Sequence, residues 1–113
     1  MAEKIEGKLD TLIGKTAKVL GNVITQGSVR VDGMIEGNLE TPQTLITGQG
    51  SFIKGDVKCR DAILGGRIEG NISALGMVEM QSGASLLGDI TCKGLVIQSK
   101  VFFEGHCKMS QEK

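Results

Sequence analysis

Six times along this chain a glycine is followed by a short polar residue and then, in almost every copy, an aliphatic one. The copies are Gly21-Asn22-Val23, Gly37-Asn38-Leu39, Gly55-Asp56-Val57, Gly70-Asn71-Ile72, Gly88-Asp89-Ile90 and Gly105-His106-Cys107. Successive glycines lie 16, 18, 15, 18 and 17 residues apart. A near-fixed period means that one small unit is stacked repeatedly, each copy burying an apolar face against the next. About seventeen residues is too short for a helix pair, but suits one turn of a coil made of three short strands at about 3.3 Å per residue. The expected class is therefore all-β: a single parallel β-helix of about six triangular coils.

The residues around each glycine have strand periodicity. Two places before it stand Val19, Ile35, Ile53, Ile68, Leu86 and Phe103, and two places after it Val23, Leu39, Val57, Ile72, Ile90 and Cys107. Apolar residues two apart share one strand face, so these are two expected core columns. Four places after the glycine, Thr25, Thr41, Cys59, Ala74, Cys92 and Met109 give a mostly small column suited to a corner. The position just before the glycine points outward, where Glu36, Lys54 and Glu69 should stack as alternating charges on adjacent coils. A further strand per coil is marked by Val29-Arg30-Val31, Leu45-Ile46-Thr47, Ala62-Ile63-Leu64, Val78-Glu79-Met80 and Leu95-Val96-Ile97. Gly33, Gly48, Gly50, Gly65, Gly66 and Gly83 punctuate the corners, and Pro42 belongs to a corner insertion.

With 113 residues, 40% of them hydrophobic, one domain with its own core is expected, the coil running over 11–109 between short flexible tails at 1–10 and 110–113. Thirteen basic residues balance thirteen acidic ones, so the chain lacks the electrostatic footprint of a nucleic-acid binder, and little net charge opposes self-association. No signal peptide or bilayer-spanning apolar run is read, which makes the cytoplasm the expected compartment. Ile5, Leu9, Leu12 and Ile13 have helical spacing, but Gly7 interrupts them and Glu3, Glu6 and Asp10 outnumber Lys4 and Lys8, which argues against direct membrane binding.

Catalytic, cofactor and metal roles find no support. Cys59 and Cys92 share a column two coils apart, roughly 9 to 10 Å at strand spacing. That is too far for a disulfide or a shared zinc ion, so both are read as core residues. His106, the only histidine, is adjacent to Cys107 and points to the opposite face of a strand. The acidic residues are spread over outer faces, and regular threonine rows, as on an ice-binding solenoid, are missing.

The ends are the informative part. A parallel coil leaves strand edges and core open at its first and last turns unless something covers them. The sequence leaves little room for caps, and apolar residues fall at both ends: Leu12 and Ile13 in the first coil, Phe102 and Phe103 in the last. Phe103 has inward parity, whereas Phe102 and Phe52 point outward. These four terminal residues are the candidate polymerisation interface for end-to-end joining of copies, driven by burial and strand pairing without a nucleotide.

The run Gly27-Ser28-Val29-Arg30-Val31-Asp32-Gly33-Met34-Ile35-Glu36-Gly37-Asn38-Leu39, with the recurring glycine signatures, resembles the bactofilins over roughly residues 11–109. The resemblance implies a right-handed triangular β-helix, in keeping with the general hand of parallel crossovers. It also implies nucleotide-independent, nonpolar cytoskeletal filaments in bacteria that serve as scaffolds for cell shape. Implied partners are other copies of the chain, with cell-wall enzymes or a membrane-associated protein as passengers. In that family apolar terminal-coil residues, often phenylalanine, form the joint, which carries over to Phe103 and to Phe102. Two other readings have their own signatures. A hexapeptide-repeat acyltransferase would keep stricter six-residue steps and place a histidine between trimer subunits; a capped β-helical binding module would need an aromatic platform, and the chain has no tryptophan or tyrosine.

Overall fold

A computed structural model describes residues 9–109, and the side chains of 11–109. Among the described residues every regular element is a strand, and the eighteen strands fall into three parallel sheets of six. The first sheet contains β1 (Leu9–Ile13), β4 (Ser28–Val31), β7 (Thr44–Thr47), β10 (Asp61–Leu64), β13 (Met77–Met80) and β16 (Gly94–Ile97). The second contains β2 (Lys18–Leu20), β5 (Met34–Glu36), β8 (Phe52–Lys54), β11 (Arg67–Glu69), β14 (Ser85–Leu87) and β17 (Phe102–Glu104). The third contains β3 (Val23–Ile24), β6 (Leu39–Glu40), β9 (Val57–Cys59), β12 (Ile72–Ala74), β15 (Ile90–Cys92) and β18 (Cys107–Met109). Each coil takes one strand from each sheet in turn, giving a six-turn three-sided β-solenoid.

Register follows the sequence columns. In the second sheet Val19, Ile35, Ile53, Ile68, Leu86 and Phe103 pair in succession. In the third, Val23, Leu39, Val57, Ile72, Ile90 and Cys107 do the same. Together with Val29, Leu45, Ala62 and Val78 of the first sheet they form one continuous core. The last coil, whose register is hardest to read in sequence, pairs Val78 with Leu95 and Met80 with Ile97. β1 opens at Leu9. The tails expected at 1–10 and 110–113 lie outside the described residues, apart from the backbone of Leu9 and Asp10, as does Ile5.

The glycine signature is the corner between the second and third sheets. All six signature glycines have positive φ, from 127° at Gly21 to 150° at Gly55, a region closed to most L-residues. The coils also touch there: a Cβ built at Gly55 would overlap the carbonyl oxygen of Gly37. Glycine is thus required at this corner both for its φ and for its missing side chain.

The polar residue after each glycine has a structural task that the spacing alone does not disclose. The Asn22 side-chain oxygen accepts the backbone N–H of Asn38 at 3.0 Å, and Asn38 in turn accepts that of Asp56 at 3.0 Å. Asp56 accepts the N–H of Asn71 at 3.1 Å, Asn71 that of Asp89 at 3.2 Å, and Asp89 that of His106 at 3.1 Å. This column satisfies the corner amides that a bend between sheets would leave without a ladder partner. Asn or Asp at five of six copies was the signal for it, because a short side chain with a terminal oxygen reaches a neighbouring amide.

The expected charge column is in register, Lys54 standing between Glu36 and Glu69. Glu69 instead pairs with Arg67 along its own strand at 2.9 Å. Exposed pairs of this kind contribute little to stability.

Candidate functional site

Interior and ends of the coil differ sharply. Ile35, Ile53, Val57, Leu86 and Ile90 are fully buried. The residues continuing the same columns into the end coils, Val19 and Val23 in the first and Leu95, Phe103 and Cys107 in the last, are only half-buried. They have the same apolar character and register as their interior neighbours, so what they lack is a further coil above or below.

Exposed apolar side chains concentrate at the same places. Leu12, Leu20 and Ile24, one from each sheet, are 60%, 69% and 71% exposed around the first coil. Around the last coil Val96, Ile97, Phe102 and Met109 are exposed. Only Leu75 and Met77 among the exposed large hydrophobics lie elsewhere. All three sheets start and stop in the same coil, so β1, β2 and β3 form one set of edges and β16, β17 and β18 the other. No helix lies over either end among the described residues. Each end therefore presents three strand edges around an apolar cross-section, the combination that drives strand addition and burial.

The candidate interface residues divide by orientation. Ile13 faces the core and is 7% exposed, while Leu12 beside it points out from the first sheet. Phe103 packs against the core beneath the last coil, next to Leu86, and Phe102 is 54% exposed on the outer side of β17. Ile13 and Phe103 thus belong to the two cross-sections, and Leu12 and Phe102 to their rims. Phe52, also outward, is half-buried under the Arg67 guanidinium, 6.0 Å from the ring centre. A guanidinium over an aromatic face is favourable by about 0.5–1 kcal/mol at exposed sites.

The cysteines behave as core residues. Burial pushes the Cys59 thiol up to about 12, with Asp61 adding to the rise. Burial, then the charge of Cys107 and its hydrogen bond, pushes Cys92 up to about 11. Both are free thiols, as is Cys107. A thiol held protonated is a poor nucleophile and a poor metal ligand. His106 is exposed on the last coil, its Nδ1 3.5 Å from Asp89 Oδ1. Among the described residues no three His, Cys, Asp or Glu side chains gather as a metal site would require. A surface groove beside the third sheet is lined by Ile24, Pro42 and Leu75 together with Glu40, Lys58 and Lys93. It contains no histidine.

No curated protein matches the chain significantly. Two solved structures share its fold. Thermus thermophilus bactofilin in double helical filaments aligns with a TM-score of 0.79 at 23% identity, over 88% of this chain and 99% of that one. The cytoskeletal bactofilin BacA aligns with a TM-score of 0.80 at 24% identity, over 92% of this chain and 98% of that one. The sequence itself matches the family model described as "Bactofilin: Polymer-forming cytoskeletal" across residues 11–108, from the first strand to the last. With that match across the whole solenoid, the chain belongs to the bactofilin family.

Proposed function

We propose that this chain is a non-enzymatic scaffold that assembles end to end into cytoskeletal filaments without a nucleotide. The observation that carries the reading is the half-burial of Val19, Val23, Leu95 and Phe103, whose columns are fully buried one coil further in. Joining two ends covers that apolar surface and gives the edge strands partners. Apolar burial is favourable by about 25 cal/mol per Å2 and requires no energy source. Phe103 is the central residue of the joint, Leu12 and Phe102 lie at its rim, and Ile13, already buried, supports the first coil from within. The described residues contain no helix long and apolar enough to cross a membrane. In this reading the filaments are cytoplasmic, reach the inner face of the cell membrane through partner proteins, and support cell shape or the placement of cell-envelope proteins.

The test is electron microscopy and sedimentation of the purified chain at micromolar concentration without nucleotide. Filaments are expected for the wild type. Phe103→Arg should move the protein from pellet to supernatant while circular dichroism keeps its β signature. A wild type that scatters light as single subunits at every concentration would overturn the proposal and favour a binding module; a discrete trimer would favour the acyltransferase.

A further inference from the structure

Three sulfur atoms meet where the core ends in the sixth coil. Cys92 of β15 pairs directly with Met109 of β18, and its Sγ lies 3.8 Å from the Met109 Sδ. Cys107 stands two residues before Met109 on the same strand, so both side chains take the inward face. Its thiol is hydrogen-bonded to that of Cys92. Cys92 is fully buried, Cys107 half-buried and Met109 46% exposed, so the cluster runs from the core out to the open end. Cys59, earlier in the same column as Cys92, pairs with Ala74 instead. At the other end of the solenoid the positions of Cys107 and Met109 are held by Val23 and Thr25.

The chemistry of the three donors selects the ligand. Thiolate and thioether sulfur are soft donors, which favour soft cations over hard ones such as calcium or magnesium. Zinc prefers a closed tetrahedral set of thiolates and imidazoles, and the adjacent imidazole, His106, is exposed outside the core beside Asp89. Two thiolates and a thioether make instead a three-coordinate set that suits Cu(I). With metal–sulfur bonds of about 2.3 Å, a trigonal site holds its sulfurs about 4 Å apart, close to the spacing of Cys92 and Met109.

We propose that Cys92, Cys107 and Met109 form a binding site for one Cu(I) ion at the last coil. Binding involves no redox change: the ion forms bonds to three sulfurs, and the protons of both thiols leave to water. In the metal-free chain burial, and then the charge of Cys107, keeps Cys92 protonated. A cation among the sulfurs offsets both effects, so thiols that are inert alone become ligands together. The half-buried Cys107 and the exposed Met109 give the ion its way in from the open end. The site stands apart from filament formation, since all three sulfurs belong to one chain.

Titration of the purified full-length protein with Cu(I) under nitrogen, against a chromogenic Cu(I) chelator, tests it. The wild type should take one ion per chain from the chelator, gain ultraviolet thiolate-to-copper absorption and release both thiol protons. Cys59→Ala and His106→Ala should do the same. Cys92→Ala should lose affinity by more than the roughly 10–100-fold that changes outside the ligand set cost. Cys107→Ala, at a half-buried position, should do likewise and serves should the Cys92 variant fail to keep its β circular dichroism. Met109→Leu, a volume-conserving swap, should weaken binding by about tenfold or more while leaving the metal-free thermal midpoint nearly in place, which separates a ligand from a packing residue. A wild type that takes no copper from the chelator, a folded cysteine variant or a Met109→Leu that binds as tightly as the wild type, or a preference for zinc over Cu(I) would each overturn the site.

Discussion

The third and fourth coils and the terminal coils are built from the same repeat, yet they serve different ends. Ile53 and Ile68 are enclosed by coils on both sides, whereas Val19 and Phe103, in the same column, have a neighbour on one side only. Since each coil touches little beyond its neighbours, stability here is approximately a sum of coil and interface contributions. A terminal coil has half the interfaces of an interior one, and that deficit is what another subunit can supply.

The contrast is broken most forcefully in the core. In a Phe103→Arg background, which is expected to isolate the subunit, Ile53→Ala should cost about 2–5 kcal/mol, as large-to-small changes at enclosed sites do. Val23→Ala in the half-buried first coil should cost under about 1 kcal/mol. Thermal denaturation resolves the two, because 1 kcal/mol moves the midpoint by about 4–8 °C in a domain of this size. Equal midpoints would mean that the ends are as well packed as the middle.

Alkaline pH sharpens the contrast next. The Cys59 thiol titrates near 12 in the folded chain against an ordinary value of 9.0. Below pH 9 both folded and unfolded forms hold the proton and the stabilisation is complete. As pH rises from 9 toward 12 the unfolded thiol ionises first and the stabilisation is lost. The midpoint of the wild type should therefore fall more steeply above pH 9 than that of Cys59→Ala, a substitution that Ala74 already makes one coil on in the same column.

A smaller difference separates the interior of the side-chain amide column from its end. Asn38→Ala removes the acceptor for the Asp56 N–H and should cost about 0.5–1.5 kcal/mol. His106→Ala, on the last coil, should leave the midpoint within about 2 °C, since surface changes away from such contacts stay small. The smallest expected effect is a gain. Lys100 has φ of 63° at a corner where Gly50 and Gly83 sit at 87° and 92°. Lys100→Gly should relieve up to about 1 kcal/mol of left-handed strain, raising the midpoint by a few degrees.

Much of this molecule is legible in its sequence because a parallel coil turns spacing directly into register. Ile35, Ile53 and Ile68 could be placed in one column by counting from a glycine, with no knowledge of distant contacts. Side-chain partners were less accessible. Arg67 lies two residues from Glu69 on one strand face and over Phe52 on the next coil, but the Glu36-Lys54-Glu69 column competes with it on paper. Only rotamers decide which cation the carboxylate meets. Likewise the sequence marks Leu12 and Ile13 together as terminal and apolar, while the parity that sends one outward and the other into the core depends on where β1 begins.

The short interval between paired strands also bears on how the molecule is made. Each strand finds its mate one turn away along the chain, so no pairing waits for the far terminus to be synthesised. As a nascent polypeptide leaves the ribosome, every further seventeen residues or so can settle on the turn already formed, and the growing subunit acts as its own template. Under this order of events the sixth turn, with Phe102 and Phe103, is laid down after the other five, and the half-buried end it presents forms only once they are in place.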